Sequence, residues 1–358
     1  MRLTRDPLEE WALHCDAMGA RISLDSSGAP SPFNDPEWAG IRFEESNDEA
    51  GAEAHLREEL RRAYHVDDDM IALTLGAQQA DFLFFFTQLR AGDMVAVENP
   101  TFMPIRQQAE LICDVRTLDR PAGAGFRPDM GQLHHFLGAG ARAVALTNLH
   151  NPSASALRTD ELEGIVEEAG KHDAMVLCDE VYREMTYQDM PKGVYELGEN
   201  GVSVSSVTKL NGLRGLRLGW LIGPREVAQK VEMARMYLNY RLPVHSCLFT
   251  AEAVKRRDWF RERVMERAMT NLPILKGWLE GEKRIACRLP DGALMASLGL
   301  PEGTDDLEFS ELLLKKGIAV GPGRYWGAPG TLRVTFSCPG QELTKGLREI
   351  SEVLDLTG

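Results

Sequence analysis

The sequence predicts an α/β fold, with a largely parallel sheet covered by helices on both faces and a smaller α+β unit beside it. Three observations carry this expectation. Between about residue 50 and residue 225, helical periodicity alternates with short β-rich runs, the pattern of parallel strands joined by crossover helices. The segments that carry chemistry fall just after those runs, at the carboxyl ends of strands where open α/β sheets bind ligands. A length of 358 residues fits about two domains on the usual prior of ~150 residues each.

In chain order, strands are expected at residues 70–74, 94–97, 143–147, 175–178, 202–207 and 218–222. Helices are expected between them at 52–63, 77–89, 159–171 and 226–237. From about residue 259 the pattern changes to a long helix, a strand near 293–298, a helix at 307–316, a strand at 332–336 and a last helix from 341. This places a large domain at 41–255 and a small domain at 1–40 with 256–358. The sequence shows no repeat or low-complexity linker, so the two units are expected to be closely joined.

Composition narrows the function classes. Hydrophobic content of 44% and charged content of 26% are those of an ordinary globular protein. The net charge of -14, without a Lys/Arg block, argues against nucleic acid as a partner. Cys15, Cys113, Cys178, Cys247, Cys287 and Cys338 show no metal-ligand spacing, so free thiols and no metal centre are expected. The amino terminus lacks an apolar signal core and no run nears ~20 apolar residues, so cytoplasm rather than membrane is expected.

The most informative stretch runs from Ser203 to Trp220. A strand delivers two hydroxyls and the Lys209 amine into a glycine-rich turn, with Arg217 eight residues beyond the lysine. A lysine amine condenses with an aldehyde, while hydroxyls, glycine N–H groups and a guanidinium suit a phosphate. Pyridoxal phosphate carries both groups. The pattern Ser206-x-x-Lys209 with Arg217 resembles the attachment motif of fold-type-I pyridoxal-phosphate enzymes, the class I/II aminotransferases in particular. That resemblance implies a seven-stranded, mostly parallel sheet, a homodimer, and transfer of an amino group between an amino acid and a 2-oxo acid. It implies a ping-pong mechanism through a Schiff base on Lys209. A C–S or β-lyase, a racemase and a biosynthetic cyclase are the alternatives on the same scaffold.

The remaining site residues follow the same resemblance. Asp179, at the end of an apolar strand and followed by Glu180, Val181 and Tyr182, is assigned to the pyridine nitrogen, and the Tyr182 phenol to the ring oxygen. An Asp after a strand is otherwise most often a helix N-cap. Asn151, in Asn151-Pro152-Ser153-Ala154, is assigned to the ring oxygen and the substrate carboxylate. The family has glycine where this chain has Ala154, so the turn is expected to be made differently or by residues further on. Gly76, Ala77 and Gln78 open a helix whose free N–H groups favour a phosphate. Phe102 is placed against the pyridine face, with a core phenylalanine as the competing reading.

Arg333 lies inside an apolar strand, where a charge must be paired. Its planar fork suits an α-carboxylate, and an internal salt bridge is the competing reading. Gly28, in Gly28-Ala29-Pro30, resembles the segment whose backbone N–H approaches the same carboxylate. Phe82, Phe84, Phe85 and Phe86 read as core packing, and Tyr240, Arg241, Tyr325 and Trp326 are candidates for the side-chain pocket, with exposed packing residues as the equal competing reading. Relatives place a tyrosine near an early glycine to reach the neighbouring subunit's phosphate. Residues 44–51 contain none. A regulator carrying a helix-turn-helix ahead of an aminotransferase-like body is disfavoured, because only about 27 residues precede Gly28 and they are not basic.

Overall fold

The computed structural model describes residues 5–43 and 47–357, so Glu44, Glu45 and Ser46 of the tyrosine-less stretch lie outside the described residues. A two-residue strand, β1 (Ile22–Ser23), comes first. The main sheet follows with β2 (Ile71–Thr74), β3 (Met94–Asn99), β4 (Asp114–Asp119), β5 (Ala141–Thr147), β6 (Met175–Asp179), β7 (Gly201–Ser206) and β8 (Gly219–Ile222). Their order across the sheet is β2-β8-β7-β6-β5-β3-β4. The pairings are parallel except those of β8, which runs antiparallel to both β2 and β7.

Strand side chains alternate between the two faces, and both faces are dry. In β5, Ala143 and Ala145 join the cluster built around Phe84, Phe85 and Leu221, while Val144 and Leu146 join Leu162, Ile165 and Val166 on the other side. The helices Ala77–Gln88 and Thr159–Gly170 supply those opposite layers. Four consecutive turns of 100° cannot aim every phenylalanine of the first helix inward. Phe84 and Phe85 are fully buried and Phe82 is partly so, but Phe86 is 60% exposed, which corrects the expectation of core packing for all four.

Beyond the main sheet lie β9 (Met295–Gly299), β10 (Ile318–Ala319), β11 (Gly321–Pro322) and β12 (Thr331–Thr335). β11, β12 and β9 form a three-stranded antiparallel sheet, and β10 pairs in parallel with β1. The helices Arg257–Gly281 and Gly340–Thr357 pack on this part of the chain. The segment after β1 is therefore tied to the carboxyl-terminal strands: Leu24 N–H donates to Ala319 O (2.8 Å) and Leu24 O accepts from Thr335 N–H (2.7 Å).

Candidate active site

Four strand ends and one returning strand surround a cavity open to solvent, with about 590 Å³ of empty space when its mouth is included. Lys209 enters from the turn after β7, Asp179 from the end of β6, Asn151 from the turn after β5, Phe102 from the loop after β3, and Arg217 from the approach to β8. Ala77, Gln78, Tyr182 and Ser206 also line it. The strand-end rule thus concentrates residues that lie up to 140 positions apart in the chain.

One end of the cavity is built for an anion. Gly76 precedes the helix Ala77–Gln88 with φ +81° and no side-chain cap, so the first N–H groups of that helix keep no capping partner. A Cβ on Gly76 would lie 3.0 Å from Nη2 of Arg217, so a side chain there would fill the space the guanidinium faces. Arg217 itself holds φ +54°, a left-handed conformation that costs a non-glycine residue about 1 kcal/mol or more. Ser206 and Thr208 hydroxyls lie 2.8 Å apart beside it. Two donor hydroxyls, free helix N–H groups and an arginine are the chemistry a phosphate needs.

Asp179 lies at the floor. Its Oδ1 accepts from Val181 N–H at 3.0 Å, which closes a short turn rather than capping an α-helix. Burial pushes its carboxyl up to about 6, against the lowering by the Val181 N–H and the Lys209 amine. Asp81, fully buried on the adjacent helix with both carboxylate oxygens lacking a hydrogen bond, is pushed well above the usual range by burial and by the Asp179 charge. Lys209 Nζ sits 5.4 Å over the Tyr182 ring and donates to Ser27 Oγ at 3.1 Å, while Ser27 Oγ and Tyr182 Oη are 2.6 Å apart.

The Asn151 turn rests on a buried ion pair. Thr147 Oγ1 accepts from Asn151 N–H at 3.1 Å and itself donates to Glu98, whose carboxylate also takes Thr147 N–H at 2.8 Å and pairs with Arg120. Ala154 makes the turn in place of glycine by adopting φ +55° itself, which corrects the expectation that the turn is made differently. Its N–H donates to His150 O at 2.6 Å and its carbonyl accepts from Asp291 N–H at 3.0 Å, bonds that offset the conformational cost.

Arg333, on β12, is 7% exposed and points toward this turn, with Nη1 3.4 Å from Asn151 Oδ1. It also pairs with Asp25 at 2.5 Å, and its guanidinium lies 4.1 Å from the centre of the Trp326 ring. Gly28 is not among the residues lining the cavity. A Cβ there would meet Thr208 O at 3.0 Å, and the next residue, Ala29, donates its N–H to Lys209 O at 2.8 Å, so Gly28 lets the amino-terminal segment lie against the lysine turn.

Of the four pocket candidates, Trp326 alone reaches Arg333. Tyr240 is 67% exposed, Arg241 pairs with Glu53 at 3.3 Å, and Tyr325 packs near Trp11. Ser27, Asp25, Asp81, Thr147 and Glu98 were not found from the sequence. The Ser-Ser hydroxyls one residue before Gly28 were the signal available for Ser27, whereas nothing local marks the others. The six cysteines are unpaired. Among the described residues one set of potential metal ligands gathers, His134, Glu168 and His172, and Lys171 already pairs with that carboxylate at 2.9 Å.

The sequence profile described as aminotransferase class I and II matches residues 50–350. Capreomycidine synthase of Streptomyces vinaceus is 28% identical over 289 residues, covering 80% of this chain and 74% of its own. Valine–pyruvate aminotransferase of Mycobacterium tuberculosis is 26% identical over 370 residues, covering 97% and 93%. Among solved structures, a PLP-dependent aminotransferase from Streptococcus suis superposes with a TM-score of 0.90 at 23% identity, covering 100% of this chain and 99% of the other.

Proposed function

The chain belongs to the class I and II aminotransferases, enzymes whose cofactor is pyridoxal 5'-phosphate, and from that premise we propose how its own residues serve amino-group transfer between an L-amino acid and a 2-oxo acid. The observation that carries the proposal is the set of groups gathered at one cavity: Arg217 with Gly76 facing it, a buried carboxylate at Asp179 and the Lys209 amine, with Arg333 outside the lining but in reach of the lining residue Asn151. This donor set fits the cofactor. When bound, the cofactor supplies an aldehyde that exchanges amines and a pyridinium ring that draws electrons from the substrate's Cα.

Each residue then has a task. Gly76, Ala77, Gln78, Ser206 and Arg217 hold the phosphate, with Thr208 added to the set. Asp179 would accept from the ring nitrogen, Phe102 and Val181 would supply apolar contact, and Tyr182 and Asn151 would serve the ring oxygen. Lys209 would be the covalent anchor, and its free amine would take the substrate's α-proton and give it back, as general base and then acid. Ser27 steadies that amine, and Gly28, Asn151 and Arg333 receive the α-carboxylate. Release of the first oxo acid before the second enters makes the kinetics ping-pong.

We also propose a homodimer in the cytoplasm. Met233, Met236, Tyr237, Leu238 and Tyr240 form an exposed apolar strip whose neighbour Asn239 is bonded to Gln79 at the phosphate end of the site. Free thiols favour a reducing compartment. No helix among the described residues is long and apolar enough to cross a membrane.

A panel of amino donors with pyruvate or 2-oxoglutarate tests the reading, with equal amounts of new amino acid and new oxo acid expected. Likeness to a synthase favours a lyase or cyclase as the second reading, and it predicts product from an amino acid without any oxo-acid acceptor. The carboxylate anchor has its own test. Arg333→Lys keeps the charge but loses the fork, so kcat/KM toward amino acids should fall about 100-fold while cofactor affinity and reaction with simple amines hold. Wild-type kcat/KM in that variant would reduce Arg333 to a structural salt-bridge partner.

A further inference from the structure

The hydrogen count on Arg333 shows that its fork is already taken. A guanidinium has five N–H donors, two on each Nη and one on Nε. Nη2 gives both of its hydrogens to Asp25, one to the backbone oxygen at 2.8 Å and one to Oδ1 at 2.5 Å. Nη1 reaches Asn151 Oδ1 at 3.4 Å. Nε is buried and has no hydrogen-bond partner. A carboxylate bound through two parallel bonds needs either the Nε–Nη2 side or the Nη1–Nη2 end, and both include Nη2. No bidentate carboxylate can therefore sit on Arg333 while Asp25 keeps both hydrogens.

The arrangement is built, not incidental. Asp25 follows Leu24, which is bonded on both sides to β10 and β12, so its backbone is fixed and its side chain is the part free to turn. Gly321, paired with Arg333 across β11 and β12, makes the room: a Cβ there would lie 2.9 Å from Asp25 Oδ1 and 2.7 Å from the Trp326 ring. The Trp326 ring against the guanidinium keeps Arg333 from swinging away. The orphaned Nε lies on the side where a carboxylate would also use Nη2, so the missing acceptor and the occupied donor mark the same edge.

We propose that Asp25 is an internal competitor for the substrate's α-carboxylate, holding Arg333 in the resting site until an amino acid displaces its side chain from Nη2. The proposal rests on Arg333 being the carboxylate anchor. The affinity for amino acids is then lower than the fork alone would give, because only the fraction of molecules with Asp25 turned away is ready to bind. Asp25 thereby favours substrates whose carboxylate pairs with both donors over those offering one oxygen, and it sets KM more than kcat.

The test uses propionate, an unreactive monocarboxylate, titrated into the cofactor-loaded protein and followed by the cofactor's absorbance. Asp25→Asn, which keeps the shape without the charge, and Asp25→Ala should each bind propionate about tenfold more tightly or better. KM for amino acids should fall in step while kcat changes little, and the reaction with propylamine, which has no carboxylate, should not change. Propionate bound equally well or more weakly by Asp25→Asn would overturn the proposal and make Asp25 a brace that orients Arg333. Adding Arg333→Lys separates the two readings. Propionate affinity lost in that background with Asp25→Asn neutral sinks the competitor alone, whereas propionate affinity unaffected by Arg333→Lys sinks the anchor itself. Matching thermal unfolding midpoints verify that each variant is folded, and Asp25→Asn carries the result if Asp25→Ala is not.

Discussion

Lys209→Ala should lower turnover by a factor of about 10⁴ or more, on the order of 5 kcal/mol of lost transition-state stabilisation, because one amine serves as both anchor and proton carrier. The substitution leaves the surroundings nearly intact. Lys209 is only partly buried, and its hydrogen bond is to a serine that retains Tyr182 as a partner. The unfolding midpoint should therefore hold while activity disappears, and borohydride should no longer fix the cofactor to the protein. Stoichiometric fixation in Lys209→Ala, mapped to a peptide carrying another lysine, would show that the anchor lies elsewhere.

Asp179→Asn should cost about 3 kcal/mol of transition-state stabilisation or more, seen as a fall in kcat of at least ~100-fold, since a neutral amide cannot hold the ring nitrogen protonated. The same change should stabilise the cofactor-free protein. Burial raises the Asp179 carboxyl from 3.8 to about 6, so the folded state favours its protonated form. That contribution is complete below about pH 4 and lost as pH rises through about 6. At pH 8 the ionised, buried Asp179 therefore costs on the order of 2–3 kcal/mol, which Asn removes while still accepting from Val181 N–H. Thermal melts of the cofactor-free proteins should place Asp179→Asn above wild type at pH 8, with the gap closing toward pH 4. A variant melting below wild type by the same amount at both pH values would mean that the Asp179 charge is not what burial strains.

Much of this site was legible because its chemistry is local in sequence. Ser206, Lys209 and Arg217 fall within twelve residues, and Asp179 with Tyr182 within four, so each group could be matched as a unit to the motifs the chain resembles. The central strands were legible for a similar reason, since β5 and β6 are largely apolar and β7 alternates apolar with polar residues, each bounded by turns. β4 was missed because an edge strand buried on little of its length, Asp-Val-Arg-Thr-Leu-Asp, carries no apolar run. The helices Met103–Glu110 and Met130–Gly138, of 8 and 9 residues, are too short for periodicity to separate from loop.

The illegible part of the site consists of long-range partners. Asp25 meets Arg333 across 308 positions and Ser27 meets Lys209 across 182, distances that only the folded chain closes. Arg333 illustrates the point: the strand pattern said that its charge must be paired, and both readings, substrate anchor and internal ion pair, were compatible with that. The structure supplies the ion pair, and the hydrogen count on Nη2 and Nε is what connects it to the anchor reading. Ala154 is the opposite case, a residue whose type forecast a different turn but whose backbone adopts the left-handed conformation because four neighbouring bonds hold it.

The most direct measurement is a single half-reaction: cofactor-loaded protein mixed with an amino acid in the absence of any oxo acid, with oxo acid, ammonia and cofactor absorbance followed together. The account predicts one oxo acid formed per site, no ammonia, and an absorbance change that a second oxo acid reverses, none of it with Lys209→Ala. Continued formation of oxo acid together with ammonia, many turnovers per site and without an acceptor, would contradict amino-group transfer and assign the site to elimination chemistry.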